Sequence, residues 1–164
     1  MSAPDPASSR TAGTIDQLAV FLDEHREILA ACLDDLDEEE ARRRLVPSRT
    51  TLLGLVKHAT FVERVWFEEA RTGTSRRELG LPADPGDSFV LGPQDTIGSV
   101  RDAFLAACEA SRAVTVDVEE GEIWSGNRRG PLPVLWILLH VLREHAQHCG
   151  HADILREQIL ASRR

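Results

Sequence analysis

The chain has 164 residues, a length that suits one domain with its own hydrophobic core. Hydrophobic residues make up 42% of it and charged residues 28%, as in ordinary globular proteins. The formal net charge of -8 argues against a general attraction to nucleic acid or to anionic lipid surfaces.

The first predicted element is a lead-in, residues 1–13, whose content of Ser, Ala and Pro indicates a flexible segment. It lacks the apolar core of a secretory signal. From Thr14 onward, apolar residues recur at helical spacing and predict a first helix to about Leu36. Residues 37–44 are predicted to begin a short helical turn before Pro47.

The second predicted helix begins within residues 48–50, where hydroxyl side chains can cap free backbone N–H groups, and it ends near Gly73. Glycines and prolines crowd the stretch that follows, and it shows little periodicity. Residues 72–94 are therefore predicted to form a long crossover loop. A third helix then begins after a cap at Asp95 or Thr96.

The last predicted helix begins at Pro131 or Pro133, because proline is tolerated in a first helical turn, and it continues to about Leu160. A polar stretch, residues 119–130, separates it from the third helix. No strand-like alternation competes with the helical patterns. Four long helices with one long connection predict an all-α four-helix bundle, built as one domain over residues 14–164.

Two features bear on where the protein works. The longest apolar run, residues 132–142, is interrupted by His140 and falls short of the roughly 18 residues that a membrane span needs. The cysteines, Cys32, Cys108 and Cys149, form no C-x-x-C pair and are odd in number, which argues against a disulfide framework. We expect reduced thiols in a cytoplasmic protein.

The fourth predicted helix carries most of the side chains that could bind a metal, because four of the six histidines lie between Leu138 and Glu157. A helical count of about 100° per residue produces one stripe that is apolar at both ends and polar in the middle. Glu144 and His148 stand one above the other on it and can converge on one ion. His145 lies about 100° away and is expected to point elsewhere. The stripe comprises Ile137, His140, Glu144, His148, His151 and Leu155.

A third ligand would come from His58, which shares an inward stripe of the second predicted helix with Gly54. Gly54 leaves room either for a close helix approach or for a ligand above the ion. Imidazole and carboxylate are good ligands for divalent cations, and three protein ligands leave positions open, as in catalytic sites. The spacing also fits a core or surface histidine at position 58 and a surface ion pair of Glu144 with His148.

Two segments together resemble the DinB-like (YfiT-like) superfamily of bacterial helical bundles. They are TLLGLVKHATFVERVWFEEA, residues 51–70, and VLWILLHVLREHAQHCGHADILREQI, residues 134–159. They are similar, more closely, to the actinobacterial branch related to mycothiol-dependent maleylpyruvate isomerase. The first predicted helix and the stretch VPSRTTLLGL also fit, so the similarity spans nearly the whole domain. The fold it implies is a four-helix bundle with a long connection between helices two and three.

The resemblance implies that His58, Glu144 and His148 hold a divalent metal, zinc or nickel, and that a mycothiol-type thiol is the cosubstrate. Many superfamily members have histidine where this chain has Glu144. The glutamate, together with His151 where glutamine is frequent, favours the isomerase-related branch. The residues predicted to surround the ligands, as hydrogen-bond partners or pocket lining, are His140, His151 and Trp66.

The activity implied is S-transfer of the thiol to a small electrophile, or isomerisation of that electrophile. One alternative is a non-catalytic metal-binding or stress-associated bundle, and another is hydrolysis by metal-bound water. The predicted partners are the thiol and the electrophile, without nucleic acid or membrane, and a homodimer is left open. A catalytic protein should have an accessible pocket lined by Trp66, the 72–94 loop and the third helix, whereas a structural site should be sealed.

Overall fold

The computed structural model describes residues 13–163, and within that range the chain forms four long helical segments. The predicted flexible segment, residues 1–13, lies outside the described residues except for Gly13, which directly precedes the first helix. The elements in chain order are α1 (Thr14–Ala31), α2 (Glu38–Ala41), α3 (Leu52–Glu63), a π-helix (Arg64–Glu69), α4 (Ala70–Thr72), a 3-10 helix (Pro85–Phe89), α5 (Ile97–Thr115), β1 (Ile123–Trp124), β2 (Leu132–Pro133) and α6 (Val134–Ala161).

The first helix is shorter than predicted. The apolar pattern predicts a helix to about Leu36, but α1 ends at Ala31 and the chain then turns through Asp35, which has a φ of 59°. Aspartate tolerates this left-handed conformation, which interrupts a helix. The predicted short turn is confirmed as α2, where Asp37 and Glu40 form a reciprocal capping box.

Side-chain caps set the starts of the other helices. The second helix is predicted to begin within residues 48–50 but begins slightly later, because the side chain of Thr51 caps α3. Of the two caps predicted for the third helix, Thr96 is the one that caps α5, in a capping box with Ser99. The last helix, α6, begins directly after Pro133, within a residue of the prediction.

The prediction that no strand interrupts the helices is wrong at one place. β1 and β2 form a short antiparallel pair, with Trp124 opposite Leu132. Two-residue strands are too short to produce a visible alternation of polar and apolar residues, so periodicity misses them. The pair closes a turn, residues 125–131, which lies beside the N-terminal end of α6.

The long helices pack as a bundle. α1 packs mainly against α6, α3 packs against both α5 and α6, and the 3-10 helix packs on α3. The crossover predicted for residues 72–94 corresponds to a connection between Thr72 and Ile97, and within it the structure shows only turns and the 3-10 helix. The predicted all-α bundle with a long connection between its second and third helices is confirmed.

The core is divided into two apolar clusters along the bundle axis. One cluster includes Leu53, Phe104 and Ile159, and the other includes Phe67, Ile137 and Val141. α3 and α6 each contribute to both clusters, and the boundary between them is where these two helices carry buried polar side chains. The fold thus places a polar layer in the middle of the bundle, and the candidate site occupies one side of that layer.

Candidate metal centre and adjoining cavity

The structure brings together the three side chains that the sequence nominates as metal ligands. His58 on α3 and Glu144 and His148 on α6 each offer a ligand atom, and these atoms all lie within 4.8 Å of one another. His148 Nε2 and Glu144 Oε2 are 3.6 Å apart. Both histidines are buried and Glu144 is half-buried. Two nitrogens and one carboxylate oxygen from two helices form a donor set suited to a divalent transition metal.

The protonation states of these groups suit metal binding. Burial, reinforced by the neighbouring His148, lowers the pKa of His58 to about 4, so its imidazole is neutral at pH 7. Interaction with His148 lowers the pKa of Glu144 to about 2, so its carboxyl group is ionised. Metal ligands must be deprotonated, and both groups are in that state without a metal.

The surroundings of His148 also fit a bound cation. Both of its ring nitrogens are buried without a hydrogen-bond partner among residues 13–163. A buried polar atom left unpaired costs about 1–3 kcal/mol, and one histidine with two such atoms is unusual in a folded protein. A metal ion bound to one of the nitrogens would remove part of this cost, because the lone pair gains a partner.

Ser88, which the sequence does not nominate, orients His58. Its hydroxyl donates to the carbonyl oxygen of Pro85 at 2.5 Å and lies 2.7 Å from His58 Nδ1. A serine hydroxyl has one proton, so the second bond has the imidazole N–H as donor and Ser88 Oγ as acceptor. His58 therefore carries its proton on Nδ1, which leaves the lone pair of Nε2 available for a metal.

We expect Ser88→Ala to lower metal affinity by roughly 10–100-fold, the usual effect of losing a hydrogen bond that orients a ligand. The reason is that His58 loses the acceptor that fixes both its tautomer and its ring orientation. Titration against a chromophoric chelator measures the change, with the exposed Ser48→Ala as the matched control. Equal affinities of the two variants would show that Ser88 does not orient the ligand.

Gly54 allows the 3-10 helix to approach α3 closely. A Cβ at this position would lie 2.7 Å from the carbonyl oxygen of Phe89, closer than real Cβ contacts permit. The Phe89 ring in turn stacks on the His58 imidazole with centroids 4.0 Å apart. Of the two roles predicted for Gly54, the structure supports the close backbone approach.

Gly54→Ala should lower the free energy of unfolding by about 1–3 kcal/mol, because the added methyl group pushes the Phe89 backbone away from α3. Gly150→Ala is a matched control on α6, where an added Cβ meets nothing within 4 Å. It should be neutral or stabilise by about 0.5–1 kcal/mol through helix propensity. Chemical denaturation of both variants measures the two effects, and a fully stable Gly54→Ala protein would rule out the close contact.

Two of the residues predicted around the ligands, His140 and Trp66, lie beside the site. The His140 ring is 4.3 Å from the Trp66 ring and stacks on Trp136, with centroids 5.0 Å apart. Arg143 donates to His140 Nδ1 at 3.0 Å, which leaves the proton on Nε2, 3.8 Å from Glu144. Burial lowers the pKa of His140, which keeps the ring neutral.

The third of these residues, His151, has a different environment. Its side chain is exposed, and its ring centroid lies 6.0 Å from that of His148. It is not among the described residues that line the cavity next to the ligands. His151 is thus close to the metal ligands in space but lies outside the space above them.

A cavity of about 280 Å³ adjoins the candidate metal ligands. Trp66, which lies in the π-helix, forms part of its wall, and the crossover loop contributes Arg76 and Pro85. These two contributions were predicted, but the third helix, α5, does not line it. The turn between β1 and β2 takes that place. The lining side chains are His58, Phe61, Val62, Val65, Trp66, Arg76, Pro85, Asn127, Arg128, Arg129, His140, Arg143 and Glu144.

A close backbone contact holds the turn against the cavity. The N–H of Gly126 donates to the carbonyl oxygen of Ala70 at 2.8 Å, and a Cβ on Gly126 would lie 2.3 Å from the carbonyl oxygen of Glu69. Only glycine fits there. The sequence Ser-Gly-Asn at residues 125–127, within the polar stretch 119–130, is typical of a turn, but it does not reveal that the turn reaches the site.

A second buried polar cluster, which the sequence did not reveal, lies on the other side of the polar layer. Glu63 is fully buried, and its carboxylate accepts hydrogen bonds from both Nε and Nη2 of Arg26 at 2.8 Å. His145 Nε2 lies 2.7 Å from Glu63 Oε1. Burial raises the pKa of Glu63, but the bonds from His145 and Arg26 outweigh it and lower the pKa to about 2.

The cluster explains why His145 is apart from the metal stripe. Its ring points to Glu63 on α3 and to the core residue Phe104, whose ring centroid is 6.2 Å away. The direction agrees with the helical count, and the role is a structural ion network. The signal in the sequence is that Arg26 and Glu63 lie among apolar residues on otherwise buried helix faces.

Two further predictions concern the state of the cysteines and the presence of membrane-spanning helices. The three cysteines are free and buried. Over residues 13–163 the helices lack the combination of length and apolar character that crossing a membrane requires.

A family model connects this geometry to known proteins. The model described as mycothiol S-transferase matches residues 17–161, which include most of α1, the other three long helices and the three candidate ligands. No curated protein matches the chain. The match confirms the predicted relation to the mycothiol-related DinB-like branch. The chain belongs to the mycothiol S-transferase family.

Proposed function

We propose that the protein is a divalent-metal-dependent enzyme that transfers a mycothiol-type thiol to a small electrophile. His58, Glu144 and His148 would hold the metal, with zinc or nickel as the candidates. The observation that carries the proposal is the convergence of these side chains at the edge of an open cavity. Membership of the mycothiol S-transferase family supports the thiol and the transfer reaction.

Bound there, a divalent cation would supply Lewis acidity that lowers the pKa of a coordinated thiol, and the thiolate is the reactive nucleophile. The protein's own residues prepare the site for this chemistry. Ser88 fixes the tautomer of His58, and Glu144 is the one carboxylate among the three ligands. A single negative ligand leaves a divalent site with net positive charge, which favours an anionic sulfur.

The cavity supports turnover over a purely structural role. Its walls include the exposed side chains of Arg128, Arg129 and Arg143, so it opens to solvent. A volume of about 280 Å³ is near the lower end of the usual range for small-molecule sites. A non-catalytic metal-binding bundle needs no such space beside its ligands. Isomerisation remains the second activity, since it uses the same thiol.

The domain organisation and the cellular location of the protein are part of the proposal. We propose one domain over residues 14–164, supported by the family match over residues 17–161. We also propose a cytoplasmic location, supported by three free thiols in the chain. A homodimer stays a prediction.

Incubation of metal-loaded protein with mycothiol and monochlorobimane tests the proposal. We expect conjugate to form faster than with metal-stripped protein, and His148→Ala to behave like the stripped protein after metal loading. Zinc and nickel should be loaded separately, because the donor set accepts both. Rates equal to those of stripped protein for both metals, across several electrophiles, would overturn the transferase proposal.

A further inference from the structure

Four arginines line the cavity beside the candidate metal ligands, although the protein as a whole carries a net charge of -8. They come from three separate parts of the chain: the crossover loop supplies Arg76, the turn between β1 and β2 supplies Arg128 and Arg129, and α6 supplies Arg143. Among the described lining residues, Glu144 is the one carboxylate. The cavity is therefore strongly positive.

Arg76 and Arg143 have partners within the protein. Arg76 Nε bonds Glu69 at 2.9 Å, and its Nη1 donates to the Ala83 carbonyl oxygen at 3.0 Å. Arg143 donates to His140 and lies 3.7 Å from Glu144. These two arginines hold the wall together, and their charges are partly balanced.

Arg128 and Arg129 differ, because neither side chain pairs with a carboxylate among residues 13–163. The Arg129 guanidinium lies over the rings of Trp66 and Trp136, 5.5 and 5.9 Å from their centroids. Such stacking holds a guanidinium in place while its N–H groups stay free to donate. Arg128 and Arg129 thus present two uncompensated cations at the mouth of the cavity.

The turn that carries these arginines has a fixed backbone. The buried Asn127 accepts a bond from the Arg129 backbone N–H at 3.0 Å, and Gly126 is held against α4. The two cations are therefore set on a constrained turn above the site, where they can form a preorganised anion-binding wall.

We propose that the electrophilic substrate carries a carboxylate, which Arg128 and Arg129 bind while the electrophilic carbon faces the metal ligands. This inference rests on the proposed S-transferase function and names its substrate class. Mycothiol is an N-acetylcysteine joined to an amino sugar and inositol, so it has no carboxylate. The positive wall therefore fits the second substrate. Guanidinium groups bind carboxylates through paired, charge-assisted hydrogen bonds.

A matched pair of aryl chlorides tests the substrate class: 4-chloro-3-nitrobenzoate and the neutral 4-chloro-3-nitrobenzamide. With either chloride, the thiolate sulfur forms a bond to the ring carbon as the carbon–chlorine bond breaks. Chloride leaves with the bonding pair, and the thiol proton goes to solvent. Each kcat/KM is divided by the rate constant of the uncatalysed reaction of the same aryl chloride with the thiol. This corrects for the different extents to which the carboxylate and the amide activate the ring toward substitution. We expect the carboxylate to be preferred by the unmodified protein.

The variants Arg128→Gln and Arg129→Gln should each lower the normalised kcat/KM for the carboxylate by about 10–100-fold, and that for the amide by less than about threefold. Arg77→Gln removes an exposed arginine outside the cavity and is the matched control. Equal losses for the two substrates, or no loss in either variant, would overturn the inference.

Binding of the unreactive 3-nitrobenzoate separates this inference from the transferase proposal. Binding is measured by calorimetry on metal-stripped protein, because a bound metal could itself bind the carboxylate. Nitrobenzoate should bind more tightly than 3-nitrobenzamide, and both arginine variants should lose that preference. If no electrophile turns over but the preference is present, the transferase proposal fails and the anion site stands. If the stripped protein shows no preference, the anion site fails whatever the activity.

Discussion

His58→Ala, Glu144→Ala and His148→Ala should each remove most of the divalent metal from the purified protein. These side chains supply the three converging ligand atoms, so each deletion leaves a two-ligand site. Loss of a residue that only orients a ligand costs about 10–100-fold in affinity, and loss of a ligand should cost more. Elemental analysis after dialysis measures the metal that remains bound.

The structure also decides which variants serve as controls. His25→Ala should keep its metal, because His25 is partly exposed on α1, where its ring bonds the Phe21 carbonyl oxygen. His145→Ala should also keep its metal, because the His145 ring points away from the ligands to Glu63. It is a poorer control, since His145 is fully buried and we expect its removal to destabilise the fold. We expect His140→Ala to weaken binding about 10–100-fold, and the exposed His151→Ala to weaken it less. Unchanged metal content in all three ligand variants would exclude the site.

Glu63→Gln should lower the free energy of unfolding by about 3–5 kcal/mol, with a fall in Tm of about 6–20 °C. The substitution keeps the shape of the side chain but removes the buried carboxylate that Arg26 pairs with, and the partly exposed Asp23 is then its remaining carboxylate partner. It also removes the charged partner of His145. Thermal and urea denaturation followed by circular dichroism measure the loss.

Glu68→Gln is the matched control for this charge removal. Glu68 pairs with Arg64 at 2.9 Å on the partly exposed helix surface, so its loss should change stability by no more than about 0.5 kcal/mol. Similar effects of the two substitutions would show that the buried network does not stabilise the fold.

The contribution of Glu63 should also depend on pH. Its pKa falls from an ordinary value of 4.5 to about 2 in the folded protein, so the unfolded state takes up its proton first as the pH falls. The stabilisation is present above the unfolded pKa and is lost as the pH falls through the folded pKa. The stability gap between the unmodified protein and Glu63→Gln should therefore shrink between about pH 5 and pH 2, which urea titrations across that range measure.

Periodicity and caps predicted most of the fold because the long helices are amphipathic over many turns. They also placed Glu144 and His148 together, since the distance from i to i+4 is a property of one helix. His58 is different, because spacing shows only that it faces inward. Its meeting with α6 depends on how two helices pack, and the family resemblance supplied that step.

The parts that sequence reasoning missed depend on contacts between distant segments. Ser88 lies in a loop without periodicity, and its bond to His58 exists because the 3-10 helix packs on α3 beside Gly54. Arg128 and Arg129 reach the cavity because a glycine lets the turn touch the end of α4. In the sequence, Arg26 and Glu63 each look like an isolated charge on an apolar helix face. Their pairing is a tertiary contact between residues that are 37 positions apart in the chain.

Cobalt(II)-substituted protein titrated with mycothiol tests the central claim most directly, because cobalt accepts the ligand set of zinc and reports its coordination in the absorption spectrum. We predict a new thiolate-to-cobalt charge-transfer band in the near ultraviolet that saturates with stoichiometric thiol in the unmodified protein and is absent in His148→Ala. A cobalt-loaded protein whose spectrum does not change on addition of mycothiol would contradict an open metal site that binds the thiol.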